Sequence, residues 1–345
     1  MSAALVKKPA YRVAVVGVGA VGLEMLRILR QRRFPIAQLT VLARTSRTLE
    51  LEGTRYPVQA MTPEALAQDL VLFAGTEGEK GAAVTYAQEA IRRGAIVIDN
   101  GADFRMDPTV PLVVPEVNRD DLRSHHGLIA NPNCSTIQMV VALGPVHRAL
   151  GLKRIIVASY QAASGAGREA AEELKAQATA AAQGQPLPAP HALPHQIAFN
   201  VIPQIGPFAE LGYTSEEWKL IKETRKILHD DRIPITATTV RVPVVNAHSE
   251  VVYFETAKPA TVATLTTLWR QAPGVSFVEH PAYPMPIQAD GRDEVFIGRL
   301  RPDPSVANAF ACWIVSDNLR KGAALNAVQI AEELIKVASC PPSGS

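Results

Sequence analysis

The period of the apolar positions changes repeatedly along the chain. Tyr11 to Val16 is a short apolar run, and beyond a glycine-rich turn Val21, Met25, Ile28 and Leu29 recur at helical spacing. "QLTVLA", "DLVLFAG" and "AIVIDNG" read as further buried strands, with "AAVTYAQEAIRRG" a helix between the last two. Strands alternating with helices predict an α/β unit with a doubly wound parallel sheet. In such sheets ligands gather at the C-terminal strand ends, here "FAGTEG" and "DNGADFR". Further on, "CSTIQMVVALGPVHRAL" reads as a mostly apolar helix, and "KRIIVASYQAASGAG" as a β-rich run that breaks at glycines before an alanine-rich helix. "AAQGQPLPAPHALPHQ" is proline-rich and has no period. In "TSEEWKLIKETRKILH", Thr214 and Glu217 have the spacing of a capping box. "TATTVRVPVVNAHSEVVYFET" alternates as a single strand does, with Arg241 and His248 near its middle. "EVFIGRLRPD" and "AFACWIVSD" add strands, and "ALNAVQIAEELIKVA" closes the chain as an amphipathic helix.

Length and charge narrow the class. At 345 residues the chain suits two domains, by the soft measure of about 150 residues each. A net charge of +2 supplies no basic surface for nucleic acid. Three scattered cysteines without a CxxC argue against a disulfide framework or a metal site, and for a reducing compartment. Cys312 is expected in a strand core and Cys340 in a Pro/Ser/Gly-rich tail. "MSAALVKKPA" lacks the apolar run of a signal peptide, and no apolar run reaches membrane-spanning length, so a cytoplasmic protein is expected.

Two stretches carry candidate chemistry. Gly17, Gly19 and Gly22 form GxGxxG between a strand and a helix, the fingerprint of a Rossmann-type dinucleotide unit. The first glycine serves the tight turn, the second the approach of pyrophosphate, and the third the packing of helix on strand. The second strand is followed by Arg44, Thr45, Ser46 and Arg47 where an NAD site places an acid. These groups suit a 2′-phosphate, so NADP is expected, a solvated basic turn being the alternative. Elsewhere "NPNCST" puts Cys134 at a helix N-terminus, where orphan N–H groups and the helix dipole favour a thiolate. The competing reading is a buried small hydrophobe. Glu216 and Lys219, three apart on a helix, can share one face or simply form a solvated ion pair.

Across nearly its whole length the chain resembles the aspartate-semialdehyde dehydrogenase family. The motifs are "GAVG", "VPLVVPEVN", "NPNCST", "SYQAASGAG", "FNVIPQI", "EEWK" with "ETRKIL", "RVPV…HSE" and "DNLRKGAA", in family order. The resemblance implies reversible, NADP-dependent, phosphorylating oxidation of L-aspartate 4-semialdehyde to L-4-aspartyl phosphate, feeding lysine, methionine and threonine synthesis. It matches Cys134 to the nucleophile, His248 to the acid–base residue and Gln161 to the active-site glutamine. Arg241 and Glu216 match the groups that take the substrate carboxylate and ammonium, and Lys219 and Arg105 the phosphate cations. Asn133, with helix-start N–H groups, is expected to hold an oxyanion. The turn residues Ala20 and Val21, with Ser164, Gly165 and Asn318, match cofactor-binding positions, and no metal is implied. The implied plan is a cofactor domain over 1–133, completed by a C-terminal helix at about 323–340, and a catalytic and dimerisation domain over 134–322. The second domain is an α+β unit with a mixed sheet, in a homodimer or tetramer. The implied small-molecule partners are the substrate and inorganic phosphate.

Two departures stand out. "GVGAVG" is shorter than the family's "GATGAVG", and "DNGADFR" replaces "DNSSAFR". "ADFR" looks more like N-acetyl-γ-glutamyl-phosphate reductase, the alternative within the class. A catalytically silent paralogue is a second alternative, against which the retained polar residues argue. Asp103 lies two residues before Arg105. On an extended segment the two would share a face and pair; in a turn, Asp103 would cap it.

Overall fold

The computed structural model describes residues 5–75 and 81–339. Thr76, Glu77 and Gly78 of "FAGTEG", together with Cys340, lie outside the described residues. The chain divides into two compact units, residues 1–132 with 323–345, and residues 133–322.

The first unit is built on a seven-stranded sheet in the order β3-β4-β2-β1-β5-β6-β7. Its elements are β1 (Tyr11–Val16), α1 (Ala20–Gln31), β2 (Ile36–Ala43), β3 (Arg47–Leu51), β4 (Thr54–Ala60), β5 (Leu70–Phe73), α2 (Ala82–Arg92), β6 (Ile96–Asp99), α3 (Pro115–Asn118) and β7 (Leu128–Ala130). β1 pairs in parallel with β2 and β5, and parallel pairing continues through β6 to β7. The run of apolar residues in each central strand follows from burial on both faces: Val15, Leu72 and Ile98 on one face and Ala14, Val71 and Val97 on the other are all enclosed. The antiparallel β3–β4 hairpin at one edge was not visible as a separate period. It moves Arg47 out of the expected turn and into the first position of a strand.

The second unit contains α4 (Cys134–Leu150), β8 (Leu152–Gln161), α5 (Arg168–Ala182), α6 (Ser215–Leu228), β9 (Ile235–Arg241), β10 (His248–Thr256), α7 (Val262–Gln271), β11 (Val275–Phe277), α8 (Pro286–Ala289), β12 (Val295–Pro302) and β13 (Ala309–Ser316). Its mixed sheet runs β11-β12-β13-β10-β8-β9. The expected single strand around Arg241 and His248 is two strands. β9 ends at Arg241 and β10 begins at His248, and β8 lies between them, parallel to β9 and antiparallel to β10. The alternation persists through the connecting segment, so period alone does not reveal the reversal. α4 packs on the sheet and is enclosed along most of its length. Trp269 of α7 donates from Nε1 to the Ala142 carbonyl of α4 at 2.7 Å.

The final helix, α9 (Leu325–Ser339), belongs to the first unit. Val328, Ile330 and Leu334 join the core that includes Met25 and Leu29 of α1, and Arg32 makes a two-pronged ion pair with Glu332.

The glycines of the first turn separate by role. Gly17 has φ +100°, a conformation that side chains oppose. A Cβ on Gly22 would stand 1.9 Å from the Gly17 carbonyl oxygen, whereas one on Gly19 would meet nothing within 4 Å. Gly22→Ala is therefore expected to destabilise the protein by about 1–3 kcal/mol. Gly19→Ala is expected to cost about 1 kcal/mol or less, while weakening dinucleotide binding at least about tenfold. Denaturant unfolding and a binding titration of both variants check this; equal stability losses would remove the distinction.

Candidate functional site

The second unit gathers the candidate side chains around the first turn of α4. Asn133 is the N-cap of that helix. Its Oδ1 accepts from the N–H groups of Ser135 and Thr136 at 3.0 and 3.2 Å, and its Nδ2 donates to Glu216 Oε1 at 2.8 Å. Its backbone N–H donates to Glu223 Oε2 at 2.7 Å. Cys134, partly buried, is thus the first residue of a tightly held helix. The Ser135 and Thr136 N–H groups, expected to face an oxyanion together with Asn133, are taken up by the cap.

Glu216 and Glu223 lie seven residues apart on α6, two turns, and so point the same way. Glu216 Oε1 also accepts from Gln161 Nε2 at 3.2 Å, and Oε2 from Lys219 Nζ at 3.1 Å. Burial favours the neutral acid. The Lys219 ammonium and the donors on Asn133, Lys219 and Gln161 outweigh it and hold Glu216 well below the usual carboxylate range. Glu217, beside it, has the structural role its spacing predicted: with Thr214 it forms a capping box, and it also accepts from the Thr239 N–H. Gln161, at the end of β8, donates from Nε2 to the Ser135 hydroxyl at 2.8 Å, tying the strand to the first turn of α4.

His248 opens β10 and is fully enclosed. Its Nδ1 accepts from the Ala162 N–H at 3.0 Å. That bond assigns the proton of the neutral ring to Nε2, an atom without a hydrogen-bond partner. Burial, then the nearby Arg241 charge, lower its pKa to about 3 against the opposing pull of Glu216. Arg241 ends β9 and donates from Nη1 to the Ala162 carbonyl at 2.7 Å. Its backbone pairs with Ile202, at 2.9 and 2.8 Å, so the segment that follows the proline-rich excursion pins this arginine.

Gly165 lies against these groups. A Cβ there would come within 2.8 Å of Arg241 Nη1 and 2.9 Å of His248 Nε2. Ser164 Oγ accepts from Asn318 Nδ2 at 3.0 Å and donates to Asn246 Oδ1 at 2.8 Å, and Asn318 Oδ1 accepts from the Ala247 N–H. Sequence reasoning missed Glu223, Ser135, Asn246 and Gly322. A Cβ on Gly322 would stand 2.9 Å from Cys134 Cβ. The seven-residue spacing of Glu216 and Glu223 was the one available signal.

In the first unit, Gly17, Gly19, Ala20, Val21 and Gly22 form the turn from β1 into α1. The open space over Gly19 and the exposed start of α1 fit a pyrophosphate. Arg44 and Thr45 follow β2, the Ser46 hydroxyl accepts from the Ala60 N–H at 2.9 Å, and Arg47 starts β3. Arg105 donates from Nη2 to the Asn100 carbonyl at 2.9 Å. "DNGADFR" is turn rather than extended strand beyond Asp99. Asp103 accepts from the Gly81 N–H at 3.1 Å, at the start of α2, where a carboxylate meets a helix N-terminus favourably. Of the two roles open to Asp103, the structure shows the turn residue, with its carboxylate on the Gly81 N–H. Among the described residues no cluster of His, Cys, Asp and Glu could hold a metal ion, and no helix is long and apolar enough to cross a membrane.

A dinucleotide turn in one unit, and in the other a cysteine at a capped helix start together with a buried histidine, a glutamine and paired charges, define a class, and comparison with known proteins agrees. Residues 12–125 match the semialdehyde dehydrogenase NAD-binding domain, and residues 143–321 the semialdehyde dehydrogenase dimerisation domain. The aspartate-semialdehyde dehydrogenase of Aquifex aeolicus is 48% identical over 338 residues, spanning 94% of this chain and 98% of that protein. That of Bacillus subtilis is 48% identical over 340 residues, spanning 94% and 97%. The crystal structure of aspartate semialdehyde dehydrogenase II from Vibrio cholerae complexed with ASA superposes with a TM-score of 0.91 at 41% identity, covering 95% of this chain and 99% of that one. The chain belongs to the aspartate-semialdehyde dehydrogenase family.

Replacing Asn133 by alanine removes the cap and leaves Glu216 short of a donor. The loss is expected to exceed about 1 kcal/mol, with the carboxylate bond adding about 1.5–3 kcal/mol. Guanidinium unfolding measures it, and a stability within error of the parent would sink the central role given to this amide.

Proposed function

We propose that this chain catalyses the reversible, NADP-dependent, phosphorylating oxidation of L-aspartate 4-semialdehyde through a thioester on Cys134. The observation that carries the proposal is the assembly of Cys134, Gln161, Glu216, Lys219, Arg241 and His248 in one unit, with Cys134 at a capped helix start.

An aldehyde has no hydride to give until a nucleophile adds to it. The Cys134 thiolate adds to the carbonyl carbon and produces a thiohemiacetal alkoxide. The bound nicotinamide supplies the hydride acceptor. When the alkoxide carbon loses hydride, a neutral thioester remains, and phosphate attack on it releases the acyl phosphate and the thiolate. From thiolate to thioester no proton need change hands. A neutral His248, with its proton fixed on Nε2 by the Ala162 bond, suits this sequence as a donor to the oxygen. The Arg241 guanidinium is offered to the substrate carboxylate, the Glu216 carboxylate to its ammonium, and Lys219 to phosphate. Arg105, anchored on the Asn100 carbonyl, is the phosphate ligand proposed on the first unit. Gly17 to Gly22 would hold the pyrophosphate, and Arg44 with Arg47 the 2′-phosphate. Assembly through the dimerisation domain is proposed to give a homodimer.

Phosphate- or arsenate-dependent NADP reduction, with aspartate semialdehyde set against N-acetylglutamate semialdehyde, tests substrate and class together. Turnover of the acetylated aldehyde alone would transfer the chain to the sister activity. Cys134→Ala should abolish turnover and leave NADPH binding nearly intact; appreciable turnover in a contamination-free preparation would end the thioester reading. Arg44→Ala with Arg47→Ala should weaken NADPH by about tenfold or more, at roughly 1.5–3 kcal/mol per charge-assisted bond, and NADH much less. Equal losses would show that these arginines do not read the 2′-phosphate.

A further inference from the structure

The second unit encloses a carboxyl group that the chemistry above leaves unused. Glu250 is the third residue of β10 and fully buried. Two residues beyond His248, it projects from the same face of the sheet. Its cross-strand neighbours are Ser159 on β8 and Ile314 on β13, and the Ser159 hydroxyl accepts from Gln161 at 3.3 Å. α4 packs against this strand. Gln138 stands one turn beyond Cys134 on α4, is itself buried, and turns its side-chain amide toward Glu250. Neither carboxyl oxygen of Glu250, nor Nε2 of Gln138, completes a hydrogen bond within the protein.

A carboxylate enclosed without donors is far costlier than the neutral acid. Glu216 shows the contrast, since it lies equally deep but among three donors. The titratable groups nearest Glu250 on its face of the sheet are His248 on its own strand and Cys312 on β13, with Cys134 one turn before Gln138 on α4. On that face β8 places Ser159 opposite Glu250 and Gln161 beside it, neither of which titrates in the working range. No charged side chain bears on Glu250; burial pushes its pKa up to about 8, with the Gln138 amide opposing.

We propose that Glu250 is a positioning residue. As a neutral acid between β10 and α4 it sets the seating of the Cys134 helix on the His248 strand, and its ionisation loosens that seating. The proposal rests on the reading of Cys134 and His248 as the reacting pair.

The direction of the pH effect follows from proton counting. Between the ordinary carboxyl range and about pH 8, the folded protein keeps a proton that the unfolded chain has lost. Stability therefore falls as pH rises through that window and levels off above it.

Glu250→Gln keeps the shape and removes the titration. Unfolding midpoints from about pH 5 to 9 should show this variant gaining on the parent until about pH 8, after which the gap is constant. In steady-state kinetics the parent's kcat should fall above about pH 8, by up to about tenfold per pH unit, with KM little changed. In Glu250→Gln that fall should be absent or displaced upward. Glu250→Met, which removes the polar contact with Gln138, should fold and lose about ten- to hundredfold in kcat at neutral pH with KM retained. A stability gap independent of pH, an unaltered alkaline fall in Glu250→Gln, or parental kcat in Glu250→Met would each overturn the proposal. Turnover by Cys134→Ala would instead remove the thioester reading and leave the stability gap standing.

Discussion

The candidate site depends on one amide side chain. Asn133 accepts two N–H groups of α4 with its oxygen, donates to Glu216 with its nitrogen, and donates its backbone N–H to Glu223. The start of α4 is thereby fastened to α6 and not left to the mobility of a loop. Hydrogen bonds to buried carboxylates are worth about 1.5–3 kcal/mol each, so displacing the start of α4 means breaking the two that Asn133 makes to Glu216 and Glu223 together. Gln161 adds a third attachment, from β8 to Ser135. The position of Cys134 is set by two helices and a strand, the rigid kind of support that its proposed role requires.

Equal burial leads to opposite charge states here, and the difference lies in which donors point where. Glu216 is surrounded by the ammonium of Lys219 and by amide N–H groups, and stays ionised. His248 already receives an N–H at Nδ1 and has a guanidinium near it, so a second ring proton is disfavoured. Glu250 has no cation beside it and only the Gln138 amide turned toward it, and burial raises its pKa to about 8. Desolvation alone would neutralise all three groups. The Lys219 charge, together with the pattern of hydrogen bonds, selects the one that remains charged, and that one is the proposed partner of a substrate ammonium.

Features with a local cause were legible in the sequence. Gly17 and Gly22 occupy positions where φ and close contact exclude a side chain, and the Thr214–Glu217 box formed at the spacing read from the chain. The start of α4 after "NPN" follows from turn chemistry. What the sequence hid depends on a third element. β9 and β10 read as one strand because nothing in their alternation announces that β8 will lie between them. The role of Asp103 turned on whether its segment was extended, and its partner, Gly81, is 22 residues away. The link between Ser164 and Asn318 spans 154 residues and has no sequence period at all.

Glycine does further work that only the structure exposes. Gly165 lies where a methyl group would collide with Arg241 and His248, and Gly322 where one would collide with Cys134. The proposed carboxylate fork, oxygen donor and nucleophile therefore each pack against main chain with no intervening side chain. A side chain in such a position could rotate away and let its neighbour drift; a backbone held in regular structure or a bonded turn has no such freedom. Gly165 belongs to a turn that is hydrogen-bonded internally and to the Val244–Val245 segment, and the Gly322 N–H is bonded to the Asp317 carbonyl at 3.0 Å. Walls of this kind preset the distances among the proposed reacting groups before any substrate arrives, so that binding would not have to supply that order.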